Sequence, residues 1–204
     1  MTKEEDHKVN IFSGRTFDGW NNACLNFTHG KNTWLGYSTG YKRGASILAA
    51  YVNSQQEYQD TLIFPILFLY RHYIELMLKQ ILKNCAIIME NNITFKAHNL
   101  KGYWESAKNS IPKCAGGPLP KEYIDAIDNI VSQLDEVDRA SDAFRYPSRK
   151  DGTPTLSGIT HINIKQLSEE IGKISGMLES IELTLESIID YRNEHLSSLE
   201  NNYE

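Results

Sequence analysis

Arg71, Glu75 and Lys79 follow one another at i, i+4 and i+8 in a segment that is otherwise strongly apolar. In a helix these positions share one stripe, so three charges lie along a face that a core would bury. Buried charge needs partners. His98, Asp142 and Arg145 are the candidates further along the chain. Two chemistries follow. In the first, Arg71, Glu75, Lys79 and Asp142 form an ion-pair network that holds helices in register. In the second, Arg71, His98 and Arg145 surround a phosphate: Arg offers a planar fork of donors, and His can move a proton near neutral pH. A separate group, Tyr191-Arg192-Asn193-Glu194-His195, places Arg192 and His195 at i, i+3 on one late-helix face. It reads either as a second catalytic centre or as a cationic last turn that complements the helix dipole.

Other common chemistries lack their local geometry. The chain has no phosphate-loop, HExxH, GxSxG or GxGxxG pattern, so the usual nucleotide, zinc-protease, hydrolase and dinucleotide sites have no sequence basis. The six histidines are scattered singly, without a second His or Cys at ligand spacing. No metal and no cofactor are expected. Cys24, Cys85 and Cys114 are odd in number and far apart, which suits a reducing cytoplasm better than a disulfide framework. The start MTKEEDHKVN is too polar and acidic for a signal peptide. The most apolar run, Leu62 to Tyr70, is closed by Arg71 and is far short of the ~20 residues that cross a bilayer, so no membrane span is expected. A net charge of −5 excludes a uniformly basic nucleic-acid coat but leaves room for a local basic patch.

Helices must position these side chains. Residues 1–31 carry scattered aromatics without periodicity and read as an irregular amino-terminal arm; residues 32–204 read as one helical domain. Asn32 can cap a helix through Val52, with Gly36, Gly40 and Gly44 on a stripe suited to close packing. Asp60 can cap a central helix that runs to about Met89, apolar on nearly all sides in its first half. A short helix follows Asn99 or His98 and is halted by Pro112. Ile124, Ile127, Val131, Leu134 and Val137 predict a fourth helix, ending near Arg145 before Pro147. The β-branched stretches Thr153–Leu156 and Ile159–Ile164 flank Ser157-Gly158 and predict a small β-hairpin. From Ile164 to Ile188, apolar residues alternate three and four apart, the seam of a long helix packed on others. The expected class is therefore all-α, a bundle with a small hairpin before its last helix.

Three segments together, Leu67 to Lys79 with its RxxxExxxK spacing, Ala97-His98-Asn99-Leu100, and Asp142-Ala143-Phe144-Arg145-Tyr146-Pro147, resemble the HEPN superfamily, and more narrowly its bacterial HEPN-like branch. The resemblance covers about residues 60–190. It implies a small α-helical bundle that forms a homodimer in a bacterial defence or toxin–antitoxin setting. It also implies an RNA-directed module, many relatives being metal-independent ribonucleases. In such enzymes an Arg and a His on a late helix face a second copy, assisting attack of a ribose 2′-hydroxyl on the adjacent phosphate. Arg192 and His195 have those types, but with two residues between them where the family has four to six. Other members are inactive and bind RNA or nucleotides, or serve as accessory modules. The second expectation is thus a noncatalytic interaction or regulatory protein, binding a partner protein or a nucleotide ligand through the bundle.

Overall fold

The computed structural model describes residue 12 and residues 19–25, 33–95 and 98–200. Most of the amino-terminal arm, the Asn32 cap and Ala97 lie outside these residues. Contacts divide the chain into two compact units, residues 1–33 and 34–204. In the first, Gly19–Asn21 form a 3-10 turn, after which the Asn22 N–H donates to the Gly19 carbonyl at 3.2 Å. The second is all-α: α1 (Thr33–Gln55), α2 (Gln59–Ile88), α3 (Leu100–Ala115), α4 (Lys121–Val137) and α5 (Ile164–Glu200). No strand occurs among the described residues.

The α2 helix is the centre of the bundle, packed against α3 on one side and α5 on another. It buries Ile66, Leu67, Tyr70, Tyr73, Ile74, Met77, Leu78, Ile81 and Leu82, a set too wide for one stripe, because neighbours surround it. By length and composition it could also cross a membrane, but half of its most apolar window is buried inside this bundle. The α5 seam meets it as the spacing predicts: Ile164, Ile171, Ile174, Leu178, Ile181 and Leu185 are all buried. Tyr70 joins three helices through its hydroxyl, 2.9 Å from Ser168 Oγ on α5 and 3.3 Å from Ser46 Oγ on α1. Of the glycine stripe, Gly44 packs against α2, where an added Cβ would meet Leu69 Cδ1 at an ordinary contact distance of 3.6 Å, so its size is not forced there. Gly40 faces open space.

Four element boundaries differ from the sequence expectation. Pro112 does not halt α3: it lies within the last turn, and the helix continues to Ala115. A proline gives up its own N–H bond and crowds the carbonyl four residues back, but Cys114, buried beyond it, holds the final turn with its Sγ–H donating to the Cys85 carbonyl at 3.7 Å. Gly116, at φ 73, then closes the helix in the left-handed region that glycine adopts freely. Meanwhile α4 stops at Val137, well before Arg145, because the next residue turns its own side chain on the backbone. Asp138 Oδ1 accepts from the N–H groups of Asp142 at 2.7 Å and Ala143 at 2.8 Å, replacing helical bonds with a carboxylate-centred turn.

The hairpin is the third correction. A single antiparallel bridge joins Ser148 to Pro154, and Arg149 N–H donates to the Thr153 carbonyl at 2.8 Å around a turn at Gly152. Residues 159–164 are not a partner strand. Asn163 caps α5, its Oδ1 accepting from Gln166 N–H at 3.0 Å, so the β-branched run is cut off by a helix start. Pro154, lacking an N–H, also shortens any ladder on its own side. Asp60 likewise lies in the first turn of α2 rather than at its cap, which is Tyr58 in a left-handed conformation.

Candidate functional site

Arg71 lies in the middle of α2 with its side chain essentially inaccessible, so every donor on it must be satisfied inside the protein. All three nitrogens are. Nη1 donates to Glu75 Oε2 at 3.0 Å, Nη2 to the His98 carbonyl at 3.0 Å, and Nε to the Asp138 carbonyl at 3.1 Å, with Asp138 Oδ2 also 3.1 Å from Nε as an ion pair. Glu75, equally buried, is saturated in turn: its Oε1 accepts from Lys79 Nζ at 2.7 Å and lies 2.9 Å from His98 Nδ1. Lys79 extends outward over the rings of Tyr103 at 5.3 Å and Phe95 at 5.8 Å. The network therefore ties α2 to the start of α3 and to the turn after α4.

Local sequence explains how the parts reach one another. The i, i+4, i+8 spacing stacks the three α2 charges on one stripe. Asn99 caps α3, its Oδ1 accepting from Gly102 N–H at 2.8 Å, and this fixes where the adjacent His98 presents its carbonyl and its ring. Gly102 suits that cap: an added Cβ would lie 2.6 Å from the Asn99 amide.

Electrostatics favours a charged Glu75. Burial pushes its carboxyl up, but the hydrogen bonds from Lys79 and His98 outweigh burial and hold it below the usual carboxylate range. Asp138 goes the other way. Burial raises its carboxyl above the ordinary value, despite the Ala143 and Asp142 N–H groups and the Arg71 charge.

The structure brings Arg71, Glu75, Lys79 and His98 together and leaves two expected members out. Asp142 is not the acid that meets Arg71; Asp138 is, one turn earlier. Asp142 contributes only its backbone N–H to the Asp138 carboxylate. Arg145 is also elsewhere: it is exposed, its Nε donates to the Ser141 carbonyl at 2.6 Å, and its guanidinium lies 5.5 Å from the Tyr146 ring and 5.9 Å from Phe68. A phosphate cradle of Arg71, His98 and Arg145 is not assembled, because Arg71 is buried and spent while Arg145 turns to the aromatic side.

Arg192 and His195 share the late face of α5 as expected, but Arg192 is engaged. Its Nη1 donates to the Ile88 carbonyl at 2.8 Å, and its Nη2 pairs with Glu90. Thus it covers the carboxyl end of α2, a neighbouring helix, rather than the dipole of its own. His195 is exposed, and its carbonyl accepts from Ser198 Oγ. Compared with protein-family models, curated proteins and solved structures, this chain finds no significant match.

Two further polar clasps escaped the sequence. Tyr73, buried on α2, donates to Glu179 Oε1 at 3.0 Å, and Lys42 of α1 pairs with the same oxygen at 2.6 Å. Trp104, buried on α3, donates from Nε1 to Asp128 Oδ1 at 2.6 Å, where Lys108 also binds at 2.7 Å. Their partners are remote in sequence, and no local spacing marks them. Among the described residues no group of His, Cys, Asp and Glu could hold a metal ion. Cys85 and Cys114 are free and buried, and burial followed by the neighbouring Cys114 pushes the Cys85 thiol up to about 12.

His72 yields a pH prediction. Its ring stacks on Phe68 and meets Tyr41 edge-on, and burial lowers its pKa from the ordinary 6.5 against the pull of Glu75. A lowered histidine contributes stability that is complete above the unfolded value and is lost as pH falls through the folded one. Urea unfolding between neutral pH and about pH 5 should therefore show declining stability, and His72→Gln should flatten that decline. An equally steep decline in the variant would assign it to other groups.

Proposed function

We propose that this chain is a HEPN-like helical interaction module in which the Arg71–Glu75–His98 group is a structural lock and carries no catalysis. One observation carries this reading: the Arg71 and Glu75 side chains are sealed from solvent, and each guanidinium nitrogen and each carboxylate oxygen already has a partner within the protein, so neither group is open to a substrate. A ribonuclease centre needs Arg and His exposed together where a phosphate can enter. Here His98 is half-exposed, but its Nδ1 is held by Glu75 and its neighbour Arg71 is sealed. The homodimer and the bacterial defence setting belong to this proposal through the sequence resemblance; the noncatalytic assignment comes from the network.

The test is incubation of the purified chain with total RNA in EDTA, beside His98→Ala and His195→Ala variants. RNA is expected to stay intact in every tube. Cleavage lost in His98→Ala would overturn the lock, and cleavage lost in His195→Ala would move catalysis to the end of α5.

A further inference from the structure

Beyond the lock, the segment after α4 frames a groove of about 490 Å³, floored by Phe64, Phe144 and Leu156 and bounded by Arg145, Tyr146 and Pro147. Phe144 is buried beneath it and Leu156 half-buried, while Phe64 at 44% and Tyr146 at 57% exposure are open to solvent. Arg145 lies within contact range of two rings and is held at Nε, while its two Nη groups have no partner among the described residues. Arg149 and Lys150 follow on the same exposed loop. Asp151 on that loop feels the Arg149 charge, but among the described residues no carboxylate lies within ion-pair distance of Arg145. In a chain of net charge −5, Arg145 thus sets a positive charge with free donors at the edge of an apolar groove, with Arg149 and Lys150 following on the adjoining loop.

The geometry points to this groove as the docking site for an acidic segment of a partner protein, one that places a Leu, Phe or Trp side chain next to a carboxylate. The apolar side chain fills the floor, and the carboxylate takes the free fork of Arg145, whose fixed Nε aims a bidentate pair. Charge complementarity favours an acidic partner. A nucleic acid fits less well, because the rings of Phe68 and Tyr146 that would stack a base are already in contact range of the Arg145 guanidinium. This assignment rests on the reading of the chain as an interaction module and names its partner class.

Fluorescence anisotropy of the full chain with dye-labelled peptide pools tests it. One pool is randomised over Glu, Leu, Phe and Trp; control pools carry Gln or Lys in place of Glu. The acidic pool is expected to bind better than the Gln pool by about tenfold, the margin of one charge-assisted pair. Arg145→Gln should abolish that preference, and Phe64→Ser should weaken the acidic and Gln pools alike. Arg149→Gln, whose exposed side chain makes no hydrogen bond or ion pair among the described residues, should reduce the preference without lowering Tm, which guards against misfolding of the Arg145 variant. Equal binding of acidic and Gln pools, no binding, or displacement of the acidic pool by oligouridylate would overturn the assignment. In the same tubes, intact RNA with no peptide preference sinks the groove alone, whereas cleaved RNA sinks the noncatalytic reading.

Discussion

Arg71→Ala is expected to lower the unfolding free energy by about 3–5 kcal/mol, the range for breaking a buried ion pair from one side. The loss has four parts. Glu75 keeps Lys79 and His98 but loses the nearest charge to its Oε2, and Asp138 loses its only charged partner among the described residues. The His98 carbonyl loses a donor, and the shortened side chain leaves a void among α2, α3 and the turn after α4. Acid dependence carries a second signature. Because Glu75 is held below the usual range, its contribution is complete above the unfolded carboxylate pKa and is lost as pH falls through the folded value. Asp138 has the opposite sign, since its raised pKa makes ionisation cost stability as pH rises through the folded value. Removing Arg71 should shrink the first effect and enlarge the second. Equilibrium urea unfolding at several pH values reads both.

Trp104→Ala should be of similar size, about 3–5 kcal/mol, for a different reason. The ring is almost fully buried in α3 and packs into the main core, so its loss leaves a large cavity. It also breaks the 2.6 Å bond to Asp128 that clasps α3 to α4. Trp104→Phe separates the two contributions. It keeps most of the packing and loses the bond, and it should cost about 1–2 kcal/mol because Asp128 stays partly solvated and retains Lys108. A Trp104→Ala loss no larger than that of Trp104→Phe would show that the cavity collapses.

The helices were legible in the sequence because their apolar periodicities run over many residues. The α5 seam and the all-round apolar character of α2 both survive in the structure. Ends were less legible, since they depend on single side chains acting on the backbone. Asp138 ending α4 and Asn163 starting α5 outrank the proline and the β-branched run that sequence reasoning weighed. The same distinction runs through the site. Arg71, Glu75 and Lys79 could be grouped because one helix spaces them. Their long-range partners could not be chosen: Asp138 and Asp142 are both acids near the end of α4, and only the turn that Asp138 builds decides between them. His98 was identified, but half of its contribution is a backbone carbonyl, which no residue type announces. Arg145 was grouped with Arg71 by charge, whereas Phe68 and Tyr146 set where it lies.

The most direct test of the lock is a double-mutant cycle of unfolding free energies on Arg71→Met and Glu75→Leu. Each single change should be strongly destabilising, because it removes one charged partner from a buried opposite charge that its remaining partners only partly offset. The pair together should cost less than the sum, with a coupling of about 1–3 kcal/mol, since two apolar side chains replace the ions at similar volume. Single variants that unfold like the native protein, or losses that simply add, would contradict a lock and return Arg71 and Glu75 to the search for chemistry.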